Sequence, residues 1–527
     1  MRSALARSAA IGIIIVVLIA VIGLAVALTT MAPPAPPKPS RLVIGVTDKV
    51  TDIDPASAYD FFTWEVLNNI MAGLVQYKPG TADIIPGLAS NWTVSPDGLT
   101  YTFKLRPNLK FSDGTPLKAA DVMRSINRVI TINAPGGPGW LISSFVKDVT
   151  APDDSTVVFH LINPVSYFLA LLATPPYFPI HPSYKPSAVD SDQTAGGAGP
   201  YRIVKWVRDQ ELDLTANPYY WGGAPSIQNV TIRFYKDAAS LRAALEAGEV
   251  HIAWRTLNPT DIASLSTNPN FNVIGVPGAF IRYIIFNTRT PPLNDVRVRE
   301  ALAAAVNRTD IARRVFQGTV TPLFTLVPIG MWSHVDVFKS AYGDGNVTLA
   351  KQLLSQAGYS ATNKLSIELW YTPSHYGSTE ANLAQVLKEQ WESTGLVSVT
   401  IKSAEWSAYV NKAEQGVMMV SLFGWYPDYL DPDDYLSPFL EAGSNRWTGS
   451  GYNNTQVNAL LAQARAKVTI EERTPLYQQV QQILAQEAPF VPLVQGKLSL
   501  VTSKAIDPTS IVLGPDMLFR YWLVRWA

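Results

Sequence analysis

The chain has 527 residues, 47% hydrophobic and 16% charged, with 42 Lys and Arg balancing 42 Asp and Glu. That length is more than one core serves, so more than one lobe is expected, and the neutral balance provides no field for nucleic acid. The chain contains no cysteine, which excludes disulfides, thiolate metal sites, cysteine nucleophiles and the lipid-bearing cysteine of a bacterial lipoprotein.

Arg2 and Arg7 precede an uncharged stretch from Ser8 to about Thr30, rich in Ile, Val, Leu and Ala. About 20 apolar residues cross a bilayer core, more than a cleaved secretory segment needs, so 1–30 reads as a transmembrane anchor in preference to a signal. The positive charge before the span places everything from Met31 on the extracellular or periplasmic side of the cell membrane. The Pro-rich segment 31–40 reads as a semi-rigid stalk.

Beyond the stalk, Arg41 to Thr47 reads as a buried strand, followed by a turn at Asp52 to Pro55 and an aromatic loop carrying Tyr59, Phe61, Phe62 and Trp64. Asp97-Gly98, between Trp92 to Val94 and Tyr101 to Leu105, is a hairpin signal, and Asp113-Gly114 is another turn. Apolar spacing predicts helices over Ala119 to Ile130, Asp237 to Ala247 and Val296 to Asn307, the last with Asp295 as N-cap and Arg297, Glu300 and Arg308 on its polar face. Ser378 to Glu392 reads as a helix closed at Gly395, then a strand through Val397, Val399 and Ile401. Two further helices are expected over Thr455 to Val468 and Thr474 to Glu487, the second with Thr474 as N-cap and Pro475 at its first position. The mixture is α/β.

Seven stretches occur in one order along the chain. They are Pro86 to Trp92 with Asp97 to Arg106, Leu109 to Val122, Gly199-Pro-Tyr201, Asn217 to Gly222, Phe286-Asn-Thr288, Pro292 to Leu302 and Gly424-Trp-Tyr-Pro-Asp-Tyr-Leu-Asp-Pro432. Over most of residues 41 to 500 the chain thereby resembles the peptide, nickel and oligosaccharide type of ABC-transporter extracellular solute-binding proteins, family 5. The resemblance implies a two-lobed periplasmic-binding-protein fold of class II, cluster C type, closing on its ligand by a hinge. Lobe I takes 41–85, 196–290 and 501–527, the extra subdomain 86–195, and lobe II 291–500, with hinges near Phe286 to Thr288 and in 491–500. It further implies a monomeric, non-enzymatic receptor that delivers an oligopeptide, dipeptide or oligosaccharide to ABC permease subunits.

In peptide-binding members the Asp after the Gly-Trp turn receives the ligand's α-ammonium, and the matching residue is Asp428. Some members carry an Arg six residues earlier, where this chain has Leu422. Trp425, Tyr426, Tyr429, Trp447 and Trp406 lie near Asp428 in sequence, and Tyr59 and Phe61 complete the set of expected ligand contacts; aromatic density suits sugar faces as well as peptide side chains. The acidic run Asp428, Asp431, Asp433, Asp434 lacks the Gly and terminal Glu of a calcium loop, so no metal and no cofactor is expected. A reading of another class, a secreted hydrolase using paired carboxylates around Asp428, stays open.

Overall fold

The computed structural model describes residues 39–527 apart from 51, 256, 374 and 378. The anchor expected over 1–30 and residues 31–38 of the stalk expected over 31–40 therefore lie outside the described residues; among those described, no helix is long and apolar enough to cross a membrane.

Seventeen strands are described in chain order. β1 (Leu42–Val46) is followed by the ribbon β2 (Val75–Tyr77) and β3 (Ile84–Pro86), then by β4 (Ala89–Val94), β5 (Thr100–Leu105), β6 (Val146–Asp153) and β7 (Thr156–Leu161). β8 (Tyr201–Val207), β9 (Glu211–Ala216), β10 (Asn229–Phe234), β11 (Ile252–Trp254) and β12 (Phe271–Phe286) come next. β13 (Val320–Pro322), β14 (Leu365–Tyr371), β15 (Val397–Ser403), β16 (Val420–Trp425) and β17 (Phe490–Ser503) complete the set.

β4 to β7 form an antiparallel sheet in the order β4-β5-β7-β6. The hairpin turn joins β4 to β5 as expected: Gly98 has φ 70° and Asp97 accepts from Leu99 N at 3.0 Å. Tyr101, Phe103 and Leu105 alternate inward on β5, the period a half-buried strand requires. The Ala119–Ile132 helix covers this sheet, and its buried Arg128 reaches Asp54 with both terminal nitrogens, at 2.7 and 2.5 Å.

The large sheet runs β15-β14-β16-β12-β17-β11-β1-β10-β9-β8, with β13 on β17. β1 lies parallel between β10 and β11, and β14 parallel between β15 and β16; β12 and β17 are antiparallel to each other. These two long strands serve both flanks. Phe271 to Pro277 pairs with Ser503 to Lys497, beside β11, whereas Ile281 to Phe286 is held between β16 and Gln495 to Phe490. The ladder breaks between Pro277 and Ile281, where Phe280 lies over Gly496 so closely that a Cβ would collide with its ring.

Three local expectations are corrected. Phe61 to Ile70 is a helix, not a loop, because Asp60 caps it, accepting from Thr63 N at 2.8 Å. The Val296–Ala305 helix stops short of Asn307, which caps the next helix, Arg308–Arg314; Arg308 is not on a polar face but fully buried, donating to Pro492 O at 2.7 Å. The helix expected from Thr474 runs Ile470–Glu487, with Thr469 as N-cap and Pro475 inside. Glu471 and Glu472 in the first turn favour that earlier start through the helix dipole.

Candidate functional site

β16, an interior strand between β14 and β12, ends at Trp425, with Gly424 opposite Arg282 and Trp425 opposite Ile281 of β12. A side chain at 424 would collide with the Arg282 guanidinium, which explains the Gly before the Trp. The chain then turns through Tyr426 to Pro432 into the Asp433–Leu440 helix.

Buried charges pin this turn. Asp431 receives Arg473 bidentately at 2.6 and 2.8 Å, and Asp433 accepts from Ser437 Oγ at 2.8 Å and Tyr477 OH at 3.2 Å. Asp434 Oδ2 accepts from Trp425 Nε1 at 3.1 Å and Asp428 N at 3.0 Å. From the opposite flank, Tyr59 OH donates to Asp428 Oδ1 at 2.6 Å, Tyr77 OH accepts from Leu430 N at 3.0 Å, and Phe61 packs on Tyr426 with ring centres 5.0 Å apart. The Asp-rich run thus splits into Asp431 and Asp433, which are paired within the protein, and Asp428 and Asp434, which have no cationic partner among the described residues.

Two cavities open here. One, of about 490 Å³, is walled by Tyr59, Trp140, Tyr167, Trp425, Asp428 and Trp447, among others. The other, of about 550 Å³, is walled by Asp60, Phe61, Arg255, Arg282, His375 and Tyr426, among others.

Asp428 is half-buried and Asp434 fully buried, and among the described residues neither has a cationic partner. Burial pushes the Asp428 carboxyl up to about 6, against the pull of the Tyr59 hydrogen bond. Burial, then the neighbouring Asp428 charge, holds Asp434 well above the usual carboxylate range. Arg282 is treated differently, paired with the buried Glu380 at 3.3 Å and lying 4.3 Å over the Tyr376 ring. His375 is held down to about 4 by burial and then by the Arg282 charge.

The eight expected contact residues divide among these features. Trp425 and Trp447 stack with centres 5.6 Å apart on the smaller cavity, together with Asp428, Tyr59 and Tyr429, the last stacked on Tyr167 at 4.5 Å. Phe61 and Tyr426 wall the larger cavity, Tyr426 stacked on Phe280 at 5.2 Å. Trp406 is set back, flat against His375 at 3.6 Å, so it buttresses a wall residue. Sequence reasoning missed Trp140, Tyr167, Arg282, His375 and Arg465. Trp140 carried a signal: a bulky residue directly after the Gly-rich 136–139, left 54% exposed. The others lie far from the Gly-Trp motif in sequence and carried none.

The model for bacterial extracellular solute-binding proteins, family 5, matches residues 83–447. The chain belongs to this family. Among curated relatives of this family-5 protein, it is 32% identical to heme-binding protein A of Haemophilus influenzae, over 84% of this chain and 83% of that one. It is 31% identical to the dipeptide-binding protein of Escherichia coli, over 79% and 82%. Among solved structures, HbpA2 from Haemophilus parasuis superposes with a TM-score of 0.82 at 28% identity, over 92% of this chain and all of that one. The Helicobacter pylori periplasmic binding protein DppA, in complex with the peptide STSA, superposes at 0.75 and 26%, over 92% and 98%. The α/β architecture is that of family-5 periplasmic binding proteins, a family of solute receptors.

Proposed function

We propose that this family-5 protein is the peptide receptor of an ABC importer, held at the outer face of the membrane by its N-terminal segment and handing its ligand to permease subunits. One observation carries the reading: Asp428 presents a half-buried carboxylate, without a cationic partner among the described residues, on the wall of a 490 Å³ cavity lined by aromatic rings. A peptide α-ammonium supplies that missing charge, in a charge-assisted hydrogen bond worth about 1.5–3 kcal/mol. Relatives named for dipeptides and a solved relative holding a peptide support the same ligand class.

In this reading 41–85, 196–290 and 501–527 form one lobe, 291–500 the other, and 86–195 the extra subdomain. β12 and β17, shared by both flanks of the sheet, serve as the connecting segments, with flexure at Phe286 to Thr288 and within 491–500. The ligand is engulfed when the flank carrying Tyr59 and Phe61 meets the turn carrying Tyr426 and Asp428.

Isothermal titration of the full chain with Ala-Ala-Ala and its N-acetylated form tests the proposal. Acetylation removes the positive charge and weakens binding at least tenfold; Asp428→Asn weakens the free peptide by a similar factor. Equal affinity for both peptides, or tight binding of a neutral oligosaccharide unaffected by Asp428→Asn, overturns the peptide assignment.

A further inference from the structure

The 490 Å³ cavity holds more carboxyl groups than a peptide amine can pair with. Asp428, Asp433, Asp434 and Glu441 line it against one arginine, Arg465, among the described residues. Arg465 is spoken for: it pairs with Glu441, donates to Ser437 Oγ at 2.9 Å and lies 3.6 Å from Asp433. Asp433 is further satisfied by Ser437 and Tyr477. Two carboxylates, Asp428 and Asp434, are left without a cation among the described residues, and one α-ammonium neutralises one of them.

Asp434 has no exposed surface, and its Oδ1 has no hydrogen-bond partner among the described residues. An unpartnered buried oxygen is costly, and a carboxylate in a low-dielectric wall attracts a cation even without contact. The remaining wall is aromatic. Trp425 and Trp447 form a stacked pair, and Trp140, 54% exposed, stands on the same cavity. Aromatic faces over an acidic floor suit an organic cation with a long apolar stem better than a neutral aliphatic chain.

We propose that this cavity takes the first side chain of the ligand and selects a cationic one, lysine- or arginine-like, with Asp434 balancing its charge and Trp140, Trp425 and Trp447 enclosing its stem. The inference rests on the peptide reading of Asp428 and names the ligand class at that site. A ligand cation beside Asp434 favours its ionised form; Asp434→Asn keeps an oxygen to accept from Trp425 Nε1 and Asp428 N, so the substitution removes the group that ionises while retaining the local hydrogen bonds.

Titration of the full chain with Lys-Ala-Ala and norleucine-Ala-Ala is the test. The wild type is expected to bind the lysine peptide at least tenfold more tightly, and Asp434→Asn to reduce that ratio to within about twofold of unity. Equal affinity in the wild type, or a preference that persists in Asp434→Asn, overturns the assignment. Should Asp434→Asn fail to fold, as judged by its thermal melt, Arg-Ala-Ala against citrulline-Ala-Ala on the wild type decides the matter, equal affinities overturning it. If no peptide binds, the receptor reading itself fails; if all bind equally, only the selection for a cation fails.

Discussion

Asp428 and Asp431 stand three residues apart in one turn and meet opposite fates. Asp431 is closed by a bidentate arginine, whereas Asp428 keeps a raised pKa of about 6 and one tyrosine hydroxyl. A peptide amine stays protonated below about pH 7.5, so the pH dependence of capture follows the carboxylate. A carboxyl raised to about 6 is mostly ionised at pH 7.5 and mostly neutral at pH 5, and the ammonium needs the ionised form. Affinity for a neutral-side-chain peptide is therefore expected to fall roughly tenfold between pH 7.5 and 5, measured by titration calorimetry, and Asp428→Asn to flatten the profile. A flat wild-type profile removes Asp428 from contact with the amine. Asp428 was readable from its place after Gly424-Trp425; its raised pKa was not, because burial raises it and the Tyr59 hydrogen bond that opposes the rise comes from a residue 369 positions away.

At the scale of elements, local signals were read well wherever the stabilising contacts are themselves local. The β4–β5 hairpin and the Ala238–Glu246 helix capped by Asp237 follow from side chains within a few residues. The Ile470–Glu487 helix was misread because Thr474-Pro475 imitates a helix start, while Thr469, accepting from Glu472 N, is the actual cap. The earlier start has a consequence for the site: it places Arg473 inside the helix, four residues before Tyr477, where both reach the Asp-rich turn. Arg473→Ala strands Asp431 as a buried unpaired charge and is expected to cost about 3–5 kcal/mol of stability, read by denaturant unfolding. Peptide affinity at saturating stability should fall as well, since the turn bearing Asp428 loses its anchor. A loss below about 1 kcal/mol would show that the pair does not hold the turn.

For the molecule as a whole, β12 and β17 are the continuous elements, and residues on either flank of the sheet meet around one aromatic site. A ligand that bridges Tyr59 and Asp428 binds the closed arrangement better and shifts the population toward it. Small-angle scattering of the full chain is expected to show a smaller radius of gyration on adding a tight-binding peptide; an unchanged curve at saturation sinks hinge closure. The lobe order implied by the family resemblance gives this motion its two bodies, and β12 with β17 its connections.

The sequence by itself determined the element types, most of their caps, the family through seven motifs in order, and the position of Asp428, because each rests on near neighbours or on order along the chain. Tertiary structure decided which aromatic residues wall a cavity and which merely buttress one, that Arg308 is buried, that Asp431 is closed by Arg473, and that Asp434 has no cationic partner among the described residues. Those outcomes depend on burial and charge contributed by residues tens to hundreds of positions apart, which the fold alone brings together.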